Sequence, residues 1–126
     1  MATANLDLAT LAENQANKYL TINSSLNAID AALTEVASHA IDSGDVFNMT
    51  AAQFRAAIHF TFTNGGIDAA GTVNVPAIKR GFFHVYNNTG QTLTIQKTGG
   101  QSVTAPTLAN GSRAAYTMDG SNVFAI

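Results

Sequence analysis

The sequence predicts a mainly β fold with an N-terminal helical arm, and three observations carry that prediction. From Gln53 to Ile126, turn residues return about every ten positions between short runs rich in Thr, Val, Phe, Tyr and Ile. Upstream of that stretch the apolar residues follow a helical period instead. No helical segment separates the later strands, so neighbours are expected to pair antiparallel. The resulting architecture is an antiparallel, jelly-roll-like β-sandwich of about seven strands. Three segments follow: an arm over residues 1–40, a linker over 41–52 and a β-module over 53–126.

The arm is taken first. Residues 1–8 lack a helical signal and are expected to be extended or disordered unless a partner holds them. Helix is expected from Ala9 onward. Apolar residues fall at Tyr19, Ile22, Leu26, Ile29, Leu33 and Val36, with alternating gaps of three and four, which is a heptad seam. With Tyr19 at position a, Leu occupies the later a positions while d holds Ile, Ile and Val. Leu at a with Ile at d favours three or four strands over two. The flanking e and g positions carry almost no charge. The same seam would also suit an amphipathic helix lying on its own β-domain. Thr21, Asn23 and Ser24 are N-cap types in mid-pattern and allow a break near Thr21. After Val36 the period fades, and Ser43-Gly44-Asp45 reads as a turn within the linker.

At the end of the linker Thr50 can cap a short turn of helix, which leads into the first strand of the β-module over 57–63. In that strand Ile58, Phe60 and Phe62 share one face, while His59, Thr61 and Thr63 share the other. Thr72 to Val75 ends at Pro76, a strand-end residue. Phe82 to Tyr86 is apolar on both parities and reads as a central strand covered on both faces. Thr92 to Gln96 points Leu93 and Ile95 inward, and Gln101 to Thr104 is an edge candidate. Ser112–Met118 and Asn122–Ile126 flank Asp119-Gly120, a strong hairpin signal.

Composition narrows the functional classes. Charged residues make up 11% of the chain and the net charge is −2, so there is no electrostatic case for nucleic acid. A surface this poor in charge gains little solubility from it and suits a chain buried in an assembly. Cys is absent, which excludes disulfides and thiolate metal sites. No basic, apolar leader opens the chain, and no apolar run reaches membrane-spanning length, so neither secretion nor membrane insertion is expected. His39, His59 and His84 share no local ligand spacing and read as core or surface histidines; no metal or cofactor is expected. Carboxylates are scarce in the β-module, and no nucleophile elbow or phosphate loop appears, so no catalytic residue is assigned. Tyr86 and Tyr116 are the aromatics that could stack on a sugar.

Two stretches resemble known proteins. Gln15-Ala16-Asn17-Lys18-Tyr19-Leu20-Thr21-Ile22-Asn23 is similar to the N-terminal segment of small virion proteins of tailed bacteriophages and gene transfer agents. Asn87-Asn88-Thr89-Gly90, with the later Asp119-Gly120-Ser121-Asn122-Val123, resembles the β-modules of phage fibres and head spikes. The resemblance implies a virion structural protein, a spike or fibre base or attachment adaptor, assembled in the bacterial cytoplasm. It implies no catalytic residues. The heptad seam implies a homotrimer. Capsid, portal, tail or fibre proteins are the expected partners, with a host-surface glycan as a further candidate. Longer members carry distal domains, so a chain ending at Ile126 would be the base without the tip. The alternative is a receptor- or carbohydrate-binding module.

Overall fold

Nine strands and two helices make up the computed structural model, which describes residues 2–12 and 15–126. In chain order they are α1 (Lys18–Thr34), β1 (Val36–Ile41), β2 (Val46–Asn48), α2 (Ala51–Arg55), β3 (His59–Asn64), β4 (Gly71–Val75), β5 (Arg80–Asn88), β6 (Leu93–Lys97), β7 (Thr107–Leu108), β8 (Arg113–Met118) and β9 (Val123–Ala125). One sheet has the order β1-β3-β5-β8-β9 and the other β2-β4-β6-β7. The fold is therefore mainly β with an N-terminal helix, as the sequence predicts.

The pairing differs from expectation. β1-β3, β3-β5, β2-β4 and β4-β6 are parallel; only β5-β8, β8-β9 and β6-β7 are antiparallel. The chain alternates between the sheets through β6, so each wind lays one strand on each sheet above the last. Val36 sits opposite His59, and His59 opposite His84. This is the path of a short two-sheeted solenoid closed by antiparallel strands, and a jelly roll's all-antiparallel course is not followed. The physical reason is that the connection back to the same sheet passes through a strand of the other sheet, so no crossover helix is needed.

Stacked side chains hold the winds in register. Asn74 Nδ2 donates to Asn48 Oδ1 at 2.7 Å, and Gln96 Nε2 donates to Asn74 Oδ1 at 2.9 Å. These three amides form a ladder across β2, β4 and β6, the stacking that stabilises parallel in-register strands. Between the sheets lies one core, which includes Phe54, Phe60, Phe62, Val73, Val85, Leu93, Ile95 and Tyr116. Asn87 is fully buried in it, with Nδ2 donating to the Gln91 and Leu108 carbonyls and Oδ1 accepting from Thr89. A buried amide satisfied on both ends costs little and fixes the turn that follows β5.

Several element bounds shift. The expected arm and linker contain β1, β2 and the core residues Ile41 and Met49, so the β-body begins at Val36. The cause is period-two burial in β1, where Ala37, His39 and Ile41 turn inward. Thr50 caps α2 through a capping box with Gln53. β5 is central in its sheet, but its outer side is open: Phe82 is 48% exposed. Residues 101–104 form no strand; Gln101 instead ties β9 to β6, its Oε1 accepting from the Lys97 and Val123 amides.

Candidate functional site

Two surfaces carry the chemistry that the core does not use: α1 and the outer face of the five-stranded sheet. Helix α1 starts at Lys18, behind Asn17 in the left-handed region (φ 56°), and runs through Thr21 without a break. The segment from Ala9 to Ala12 is not helical, and the part of the expected helical onset at residues 13 and 14 lies outside the described residues. Thr21 caps no second helix because it lies inside the continuous α1, and its hydroxyl accepts from Gln15 Nε2. Upstream, residues 2–9 form a small closed loop, with the Thr3 amide donating to the Leu8 carbonyl and an Ala2–Ala9 bridge. Ser25 Oγ donates to the Ala9 carbonyl, and Arg55 Nε to the Asn5 carbonyl, so this loop is tied to both α1 and α2.

The end of α1 is held by one side chain. The buried guanidinium of Arg80 donates to the Ala32 carbonyl in the last turn of α1, to the Phe54 carbonyl in α2 and to the Ala57 carbonyl. Carbonyls at a helix C-terminus have no intrahelical donor and carry partial negative charge, so a cation there satisfies both needs. The same guanidinium lies over the Phe54 ring, 5.3 Å from its centroid. Arg80 was not singled out by sequence, because Lys79-Arg80-Gly81 only leads into the strand expected over 82–86 and nothing local signals a buried cation.

With its end fixed, α1 turns small residues toward the body. Ala32 is the buried one, and Thr21, Ser25 and Ile29 are half-buried. Of the heptad residues, Ile29 lies at the edge of that inward side, while Tyr19, Ile22, Leu26 and Leu33 lie roughly 80–140° round the helix from Ala32 and face away. Tyr19 is 62% exposed, Ile22 45%, Leu26 58% and Leu33 62%. Val36, the last seam position, is 61% exposed but belongs to β1. Thus Ile29 is the one partly covered seam residue of α1, the others are exposed, and Leu20 at 54% widens the exposed apolar surface.

Val36 also begins the outer face of the five-stranded sheet. Its register neighbours are His59 and then His84, with Ser38, Thr61, Tyr86 and Arg113 in the next column. His84 Nδ1 lies 2.6 Å from His59 Nδ1, a head-to-head imidazole hydrogen bond with ring centroids 4.7 Å apart. Burial first, then His84 and Arg113, hold the His59 pKa below its ordinary value. The Arg113 guanidinium sits over the Tyr86 ring at 4.0 Å and covers one of its two faces. Tyr116, the other sugar-stacking candidate, is in the core, where burial pushes its phenol up to about 12.

Comparison with protein-family models, curated proteins and solved structures gives no match. The site is therefore read from its own geometry. The third histidine, His39, faces inward on β1, stacked on Phe47 at 4.8 Å. Among the described residues its buried Nε2 has no hydrogen-bond partner, and burial lowers its pKa. Asp119 is taken up by its turn: the Asn122 and Ser121 amides donate to its carboxylate and hold its pKa below the usual range. Among the described residues no three His, Asp or Glu side chains gather as a metal cage. No described helix is long and apolar enough to cross a membrane.

Proposed function

We propose that this protein is a virion structural component, a spike or fibre base or adaptor, which self-associates through α1 as a homotrimer. The observation that carries the reading is the exposed seam: Tyr19, Ile22, Leu26 and Leu33 project from a helix whose small-residue side faces its own body. Covering those side chains is favourable by roughly 25 cal/mol per Å² of apolar surface, and α1 offers no intramolecular cover for them. Leu and Ile at heptad spacing supply the complementary surface in further copies. A weakly charged exterior of Thr, Ser, Asn and Gln fits a part whose solubility comes from assembly. The resemblance of residues 15–23 and of the later turns to phage fibre and spike proteins supports the placement on a particle. Assembly would then occur in the bacterial cytoplasm, with capsid, portal, tail or fibre proteins as neighbours.

Light scattering at micromolar concentration tests the self-association. The expected mass is about three times 13.1 kDa. Leu26→Asp with Leu33→Asp places charge in the seam, where burial costs several kcal/mol. The double variant should be monomeric, keep its β-type circular dichroism and fail to enter particles. A wild-type chain that stays monomeric at high concentration overturns the trimer, and normal incorporation of the double variant overturns the anchoring role.

A further inference from the structure

Helix α1 is too short to hold copies together by itself. Its seam from Tyr19 to Leu33 covers about two heptads, where a self-standing coiled coil wants roughly three to four. Stable interfaces engage about 20–30 residues a side. The remainder has to come from surface continuous with the seam. That surface begins at Val36, three residues beyond Leu33 and therefore about 11 Å from it at most. Leu33 and Val36 are 62% and 61% exposed. Val36 heads a column that runs through His59 and His84 to Ala115 across the outer face of the five-stranded sheet. Phe82, two residues before His84 on β5, is exposed as well. Among the described outward residues of these strands, Arg113 carries the one permanent charge and none is a carboxylate. Exposed apolar and aromatic side chains with so little charge are the composition of an interface centre. The His59–His84 pair suits burial there. One proton between the two Nδ1 atoms lets each neutral ring satisfy the other, and His59 Nε2 lies 3.2 Å from the Thr61 hydroxyl. A polar pair bonded within its own chain can be covered at little cost.

We propose that the outer face of the five-stranded sheet is the second half of the contact between copies, closed over the neutral His59–His84 pair by neighbouring copies of this chain. The sheet contact extends the self-association through α1 and rests on it; neither half is large enough alone. Facing the pair are Val36 and Ser38 from β1, Thr61 from β3, Tyr86 from β5, and Ala115 and Arg113 from β8. None of them is an acid, and Glu35 meets His59 through its backbone carbonyl. A proton gained by the pair therefore finds Arg113 and no counter-charge. Covered by a neighbour, the pair takes up that proton less readily than in a free chain. Acid consequently favours the free chain: assembly is complete at neutral pH and weakens as pH falls below about 6.5.

The chain has no cysteine, so a single introduced thiol reports its own surroundings. Ser38→Cys probes the outer face of the five-stranded sheet, and Thr107→Cys the outward side of the four-stranded one; both positions are exposed in the single chain. Maleimide labelling is timed where light scattering gives the trimer, and again in the Leu26→Asp, Leu33→Asp background. Ser38→Cys should react severalfold more slowly in the trimer than in that background, and Thr107→Cys equally fast in both. Lowering the pH from 8 to 5 should shift the wild-type mass from trimer toward monomer with β-type circular dichroism retained, and His84→Gln should flatten that shift. A wild-type chain that is monomeric at every concentration overturns both the seam and the sheet contact. A trimer in which Ser38→Cys reacts as fast as in the monomeric background overturns the sheet contact and leaves the seam standing. A trimer that persists in the Asp background, with Ser38→Cys still protected, removes the seam and keeps the sheet. A trimer unchanged down to pH 5 takes the histidine pair out of the contact and overturns the proposal in that part.

Discussion

At the scale of single residues, His39 is the clearest case of a cost retained in the fold. It points inward from an edge strand, packed on Phe47, with Phe60 and Phe62 within ring-contact range. A buried nitrogen without a partner costs about 1–3 kcal/mol. Burial lowers the His39 pKa below its unfolded value, and His59 moves in the same direction. For a base shifted downward, the unfolded chain binds the proton more readily, so stability is complete above the unfolded pKa and falls as pH drops through the folded one. Denaturant midpoints should therefore decline as pH falls below about 6.5. His39→Phe should raise the midpoint at pH 7 by the equivalent of about 1–3 kcal/mol and flatten that acid decline, His59 supplying the remainder. An unchanged pH profile in the variant would assign the acid sensitivity to other groups.

At the scale of elements, the stacking of winds leaves little room at Gly71, the first residue of β4. A Cβ there would lie 2.7 Å from Ile67 Cδ1, 3.0 Å from Leu93 Cδ2 and 3.1 Å from the Asp45 carbonyl oxygen. The two side chains can give way, but the backbone oxygen cannot, since it accepts from the Thr72 amide. Gly71→Ala should cost about 1–3 kcal/mol by overpacking, read from urea denaturation, whereas Gly81→Ala, where a Cβ meets nothing, should be near neutral. Strands β3, β4, β5, β6, β8 and β9 were legible because period-two alternation is local: Phe60 with Phe62, and Leu93 with Ile95, announce their faces; β1, β2 and β7 were not. Their parallel pairing was not. The repeat that encodes it is Phe47-Asn48, Val73-Asn74 and Ile95-Gln96, two residues per wind at unequal spacing, too sparse to stand out beside the turn signals. The His59–His84 contact follows from the same register and was hidden for the same reason. The heptad seam could be read directly, yet its exposure depends on Arg80 fixing the helix end, a contact no local pattern predicts.

At the scale of the whole molecule, the arm and the β-body divide cleanly. Every residue of the main core cluster lies between Ile41 and Val123, and α1 contributes none. Besides the buried Ala32 and half-buried Ile29, what joins the two is polar: the Arg80 bond to the Ala32 carbonyl, the Glu35 carbonyl accepting from the Ile58 and His59 amides, and Arg55 reaching the N-terminal loop. Glu35 belongs with the body, because its carbonyl starts the register of β1 on β3. Deleting residues 1–34 therefore removes one of three carbonyl acceptors from Arg80, which water can replace at the newly opened surface, and uncovers none of Phe54, Phe60 or Phe62 through lost core packing. The truncated chain should stay folded and β-rich, with a stability loss on the order of 1–3 kcal/mol from the charged hydrogen bond at Arg80. It should also be monomeric, since the seam leaves with the arm. Circular dichroism with light scattering checks both outcomes together. An aggregated, unfolded product would show that α1 shelters the β-core after all. A folded product that remains trimeric would move the self-association surface from the helix to the sheet.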